Sequence, residues 1–127
     1  MSSKVSIFVS SWNDKNNLKN CLDSIFLNNY KNFEIIIVDN GSSDGSVEFI
    51  KSLKGKVRAI FNKNNLGLIK ATNQGASIAN GDFILFLAQD NVIEKNMINN
   101  LLELFKKDKK IGIISPKIFY LQDSNRF

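Results

Sequence analysis

The sequence predicts an α/β domain built on a doubly wound, mostly parallel sheet. Short apolar, β-rich runs alternate with stretches whose apolar residues recur every three or four positions. The runs are apolar almost throughout, as strands covered on both faces must be. Several end in small or polar residues from which the next helical stretch begins, the pattern of successive βαβ crossovers. With 127 residues the chain has room for one domain with a sizeable core, and no repeat or linker divides it, so residues 1–127 read as a single domain.

VSIFVS (Val5 to Ser10) is a first strand. After Trp12-Asn13-Asp14, a helix carries Leu18, Cys21, Leu22, Ile25 and Phe26 on one face, which makes Cys21 a core residue. FEIIIVD (Phe33 to Asp39) is a second strand. NGSSDGS breaks the pattern, and Ser43 or Asp44 is placed to cap a helix bearing Val47, Ile50 and Leu53. VRAIFN (Val57 to Asn62) is a third strand, and Leu66 to Ala79 a helix rich in small residues. Asn80-Gly81 ends it, with Gly81 suited to a left-handed cap. DFILFLAQD (Asp82 to Asp90) is a fourth strand, with Asp82 securing the turn into it. Met97 to Phe105 is an amphipathic helix, closed by Lys106, Lys107, Lys109 and Lys110 where cations complement the helix dipole. IGIISP (Ile111 to Pro116) reads as a fifth strand, stopped by Pro116.

Composition removes several chemistries. There is no His, hence no Ser-His-Asp triad, no Cys-His pair and no His-ligated zinc. The lone Cys21 excludes an intrachain disulfide and a Cys-rich metal site. Carboxylates, amides, hydroxyls, Lys and backbone remain, and oxygen ligands select a hard cation. The net charge of +5 is mostly Lys without a dense Arg-aromatic stripe, so no nucleic-acid partner is expected. No apolar run reaches the roughly 18 residues of a membrane span. The N-terminus lacks a signal-peptide layout, which predicts a cytoplasmic protein.

Open α/β sheets bind ligands beyond the carboxyl ends of their strands. Those ends hold Ser10, Ser11, Trp12 and Asn13, then Asp39 and Asn40, then Asn62, then Gln89, Asp90 and Asn91. SSWNDKNN contains no Gly, so the dinucleotide fingerprint fails, and no P-loop occurs. Asp39 either serves a ligand or caps the NGSS turn. Asp90 either serves a ligand or caps a helical segment from Asn91 onward.

VSIFVSSWNDKNNLKNCLDSI resembles the opening of family-2 glycosyltransferases. FEIIIVDNGSSDGS is similar to that family's second strand and its Asp-Gly-Ser-type loop. NLGLIKATNQGASIANGDFILFLAQDN resembles the stretch from the Asn-x-Gly loop to the Asp-x-Asp-type motif, and IGIISPKIFY the segment after it in rhamnosyltransferase-like members. The resemblance covers essentially the whole chain and implies a GT-A fold. It implies transfer of a sugar from a UDP- or dTDP-sugar, with inversion, to a glycan or lipid-linked acceptor. By resemblance, Ser10, Ser11 and Trp12 line the base pocket and Asp39 accepts from the base or ribose. Asn65, Gly67 and Asn73 shape the nucleotide side, with Gln89 beside them, and Asp90 holds Mn²⁺ or Mg²⁺.

The departures set further expectations. Ala88-Gln89-Asp90 stands where many relatives carry two acids, so one carboxylate remains; Gln89 can offer a carbonyl but no charge. Thr72 stands where many relatives have Arg. No residue after Pro116 fills the place of the general base, so the catalytic residue is expected beyond Phe127. The chain is then the donor-binding part of a larger transferase, with any peripheral membrane association, at the inner face, coming from the remainder. A sheet edge left unpaired would seek a second copy, which predicts a homodimer. The alternative is a non-catalytic nucleotide-binding or interaction module that has lost transfer.

Overall fold

The computed structural model describes residues 2–120. Eight elements alternate strictly: β1 (Val5–Ser11), α1 (Lys15–Phe26), β2 (Phe33–Asp39), α2 (Ser46–Ser52), β3 (Arg58–Phe61), α3 (Leu68–Ser77), β4 (Phe83–Ala88) and α4 (Met97–Lys107). The four strands form one sheet in the order β3-β2-β1-β4. Every pairing is parallel, with Ser11 beside Asp39 and Ser10 beside Ala88. The chain winds from β1 out to β3, then crosses back to place β4 on the other side of β1. That reversal puts the topological switch point between β1 and β4.

The two faces of the sheet are covered unequally. Val5, Ile7, Val9, Ile35 and Ile37 share one cluster with Leu18, Cys21, Leu22 and Ile25 of α1, Ile50 of α2, and Ile98 and Leu102 of α4. Each such buried aliphatic contributes about 1.5–3 kcal/mol. On the opposite face Phe8 and Val38 pack against Ala71 of α3. The small residues of α3 now have a reason. A Cβ on Gly75 would lie 2.3 Å from Phe8 Cδ2, so only glycine lets the helix settle onto that ring.

Two expectations are corrected. Residues 111–116 are not a strand, and Ile113 is 92% exposed. Apolar content alone does not make a strand: the segment needs a ladder partner, and Gly112 and Pro116 weaken its own preference. Gly81 is not a left-handed cap; the positive-φ glycines are Gly41, Gly45, Gly55 and Gly67. Gly81 instead allows close approach of backbone, since a Cβ there would sit 2.6 Å from Ser6 N and 2.8 Å from Lys4 O. Asp82 does secure the turn, its carboxylate accepting from the Lys4 N–H (2.8 Å).

Glu34 gathers the amino-terminal edge of the sheet. It accepts from Ser6 Oγ (2.6 Å) and the Asn80 N–H (2.7 Å), and pairs with Lys4 (3.3 Å) and Arg58 (3.2 Å). Burial opposes its ionisation most, but the Ser6, Asn80, Lys4 and Arg58 hydrogen bonds together outweigh it and lower its pKa to about 2. A depressed carboxylate stabilises the fold above its unfolded pKa. That contribution should fade as pH falls from about 4.5 towards 2. Lys4 and Arg58 are exposed, so screening leaves on the order of 1–2 kcal/mol. Denaturant melts of wild type and Glu34→Gln should differ by that amount at pH 7 and converge near pH 2.

Candidate functional site

A cleft of about 310 Å³ opens at the carboxyl edge of the sheet, at the switch point between β1 and β4. Ser10, Ser11 and Trp12 line it from β1, and Ala88, Gln89 and Asp90 from β4. Asn40, Asn65 and Leu68 close one side, and Asp14 and Asn17 at the start of α1 the other.

The β1–α1 loop is held from several directions. Asn13 adopts a left-handed φ of 45°, which Asn tolerates better than most residues. Its N–H donates to Ser42 Oγ (2.9 Å), and its side-chain oxygen accepts from the Ser43 N–H (2.7 Å). Asp44 accepts from the Lys15 N–H (2.8 Å) and from Ser46 N–H and Oγ (3.1 and 2.7 Å). The Ser46 hydroxyl is the main cause holding the Asp44 carboxyl below its ordinary pKa. Neither Ser43 nor Asp44 is the α2 cap: Gly45, at φ 94°, holds that position, and Asp44 bonds Ser46 just after it. Asp14 caps α1 through the Asn17 N–H (3.1 Å) and also accepts from Asn17 Nδ2 (2.7 Å).

Asp39 is 0% exposed and is not on the cleft wall. Its Oδ1 accepts from the N–H groups of Gly41 (3.1 Å) and Ser42 (2.9 Å). Its Oδ2 accepts from Ser11 Oγ (3.0 Å) and Ser42 Oγ (2.6 Å). A carboxylate offers about four lone-pair sites, and all four are used. Of the two roles open in the sequence, turn capping is the one seen.

An amide chain carries the order outward. Asn40 Nδ2 donates to the Gly67 carbonyl (3.3 Å), and Asn40 Oδ1 accepts from Asn62 Nδ2 (2.9 Å). Asn62 and Gln74 then exchange two hydrogen bonds (2.8 and 2.9 Å). Asn65 bonds the Gly67 N–H (2.9 Å), and Gly67 starts α3 at φ 82°. Asn65 therefore lines the cleft and Gly67 shapes its rim. Asn73 does not join them: it is exposed in α3, across the helix from the sheet-facing Ala71 and Gly75.

Asp90 projects from the tight turn after β4, which Asn91 stabilises by accepting the Ala88 N–H (2.9 Å). No helix starts until Met97, so Asp90 is not a helix cap. Behind it, Cys21 Sγ lies 3.8 Å from the Ala88 carbonyl. Burial pushes this thiol up to about 12, and the Asp90 charge adds in the same direction. Gln89 spends both ends of its amide on one residue. Trp12 N–H donates to its Oε1 (2.9 Å), and its Nε2 donates to the Trp12 carbonyl (2.8 Å). Among the described residues, no group of three or more His, Cys, Asp or Glu could hold a metal. The donor set still suits one hard cation: Asp90 alone, completed by oxygens of a polyanionic ligand and water.

Seven expected residues thus meet in the cleft: Ser10, Ser11, Trp12, Asn40, Asn65, Gln89 and Asp90. Asp14, Asn17 and Leu68 were not singled out. Asp14 and Asn17 had a legible signal, an Asp three residues before an Asn at a helix start. Leu68 had none. No helix of the described residues is long and apolar enough to cross a membrane.

Comparison with known proteins agrees with this architecture. Residues 6–127 match the sequence signature of glycosyl transferase family 2. Glycosyltransferase GlyG of Streptococcus pneumoniae is 34% identical over 130 residues, covering 100% of this chain and 43% of that protein. Residues 1–349 of S. aureus TarS, solved with UDP-GlcNAc, superimpose with a TM-score of 0.74 at 21% identity, covering 90% of this chain and 37% of that one. The Pyrobaculum calidifontis mannosyltransferase PcManGT, solved with GDP-Man and Mn²⁺, gives 0.75 at 18% identity, covering 83% and 33%. The chain spans less than half the length of the relatives it matches. With its four-stranded parallel sheet and its strand-end cleft at the switch point, the chain belongs to glycosyl transferase family 2 and has the α/β fold of the GT-A transferases.

Proposed function

We propose that the chain is the donor-binding part of an inverting glycosyltransferase that takes a UDP- or dTDP-sugar and serves a glycan or lipid-linked acceptor. The observation that carries it is the cleft itself: open, at the switch point, with the exposed Asp90 carboxylate at its mouth held only by one long bond from Asn91 Nδ2 (3.4 Å). In this reading the Trp12 ring, 51% exposed, offers its face to the base. Ser10 and Ser11 hydroxyls line the floor, and Asn65 and Gly67 shape the nucleotide side. A base N–H reaches Asp39 only by displacing the Ser11 or Ser42 hydroxyl.

Asp90 would hold a divalent cation, Mn²⁺ or Mg²⁺, against the diphosphate. When bound, such a cation supplies Lewis-acid stabilisation of the departing diphosphate. The chain's own share is orientation, a site preorganised by its loop network, and a net charge of +5 that favours an anionic donor. Asp39 has all four acceptor sites spent on internal donors, so it is not the base that takes the acceptor proton.

Calorimetric titration of UDP and dTDP, with and without Mn²⁺, tests this. Binding should require the cation, and Asp90→Asn should weaken it at least about tenfold. Undiminished binding by Asp90→Asn would remove Asp90 from the site. The single carboxylate in Ala88-Gln89-Asp90 also favours a second reading, a nucleotide-binding module without transfer. The two part on donor hydrolysis, which only a transferase supports.

A further inference from the structure

We propose that Gln89 is a positioning residue, holding the Trp12 backbone so that its ring stands at the cleft mouth, and that a neutral amide is required there rather than an acid. The proposal deepens the donor-binding reading and rests on it only for its ligand arm.

The geometry is a reciprocal pair across 77 residues of sequence. Trp12 N–H donates to Gln89 Oε1 at 2.9 Å, and Gln89 Nε2 donates to the Trp12 carbonyl at 2.8 Å. The backbone offers one donor and one acceptor, so the partner must supply one of each. The primary amide does so, and its orientation is dictated by the partners. An ionised carboxylate only accepts. In the place of Gln89 it would keep the Trp12 N–H and turn its second oxygen onto the Trp12 carbonyl, acceptor against acceptor. A protonated carboxyl restores the match, because its O–H donates to that carbonyl while its C=O accepts from the N–H.

The position of the pair makes it matter. Ser11 is held to Asp39 (3.0 Å) and Asn13 to Ser42 and Ser43 (2.9 and 2.7 Å), all on the β2 side. Gln89 is the hold from the β4 side, and it grips the residue between them. It therefore couples the two strand ends that flank the switch point. It also leaves the charge at this end of β4 to Asp90, so an acid at position 89 would add charge and lose the loop.

Trp12 is the only tryptophan, so its fluorescence reads the loop directly, with no ligand needed. Anisotropy and acrylamide quenching should be compared for wild type, Gln89→Glu and Gln89→Met, with far-UV circular dichroism tracking the fold. At pH 7 both variants should show lower Trp12 anisotropy and a quenching constant raised about twofold: Gln89→Met loses both hydrogen bonds, and Gln89→Glu loses the bond to the Trp12 carbonyl and sets a charge against it. Gln89→Glu keeps the size and shape of the amide but not its donor, so at pH 7 it should be as loose as Gln89→Met. Affinity for UDP with Mn²⁺ should fall about tenfold in both variants at pH 7.

Unchanged Trp12 signals in both variants would overturn the clamp. Loosening of Gln89→Met with a wild-type signal in Gln89→Glu would overturn the donor–acceptor match. Failure of the wild type to bind nucleotide would instead strike the donor reading, leaving the ligand-free fluorescence to decide the clamp.

Discussion

Asp39→Ala is expected to lower folding stability by about 3 kcal/mol, a fall in Tm of roughly 10 °C. The substitution leaves the N–H groups of Gly41 and Ser42 and the hydroxyls of Ser11 and Ser42 without their acceptor. Each buried group stripped of its partner costs about 1–3 kcal/mol. The full sum is not reached, because Ser42 is only half-buried and water can enter. Asp39→Asn separates charge from geometry. Its amide oxygen still accepts from both backbone N–H groups, and the two hydroxyls can turn to accept from its nitrogen, so about 1 kcal/mol should be lost. Differential scanning calorimetry on the three proteins reads both effects. A Tm for Asp39→Ala within two or so degrees of wild type would mean the carboxylate does not organise the cleft floor.

Gly81→Ala should be the other severe change, at about 2–3 kcal/mol, the upper part of the range for overpacking. Its Cβ would arrive 2.6 Å from Ser6 N and 2.8 Å from both Lys4 O and Ser6 Oγ. Two of these are backbone atoms at the start of β1, which the ladders to β2 and β4 hold in place. The strain also falls on the Gly81 N–H bond to Ser6 Oγ (2.8 Å), and Ser6 Oγ itself donates to Glu34. Gly55→Ala makes the natural comparison: its φ of 87° is unfavourable for alanine, but nothing lies within 4 Å of the added carbon. Urea denaturation should rank Gly81→Ala well below Gly55→Ala. The reverse order would show that backbone conformation, not crowding, makes glycine necessary at 81.

The layered fold was legible because its signals are local. Periodicity of three and four marked α1 and α4, and unbroken apolar runs marked β1, β2 and β4. The fifth strand failed for the complementary reason, since Ile111 to Pro116 has the composition of a strand but a strand is made by its neighbour. Helix phase decided Asn73: Ala71 and Gly75 claim the sheet and turn Asn73 outward. Gly81 looked like a cap because it comes after a helix, and the demand on it comes instead from β1, 75 residues away. Asp39 and Asp90 both end apolar strands, so sequence pattern treats them alike. What separates them is burial, which saturates Asp39 with four donors and leaves Asp90 exposed with one long bond from Asn91 (3.4 Å). The Gln89 pairing with Trp12 could not be read at all, because one partner is main chain and carries no residue identity.

The buried thiol of Cys21 has a use beyond packing. It is the only sulfhydryl in the chain, and it sits under the end of β4, against the Ala88 carbonyl. With its pKa pushed up to about 12 and no path to solvent, it meets an alkylating reagent only when α1 lifts away from the sheet. Its labelling rate therefore clocks how often the rear wall of the cleft opens, and a ligand that braces β4 from the front would slow that clock without ever touching the sulfur.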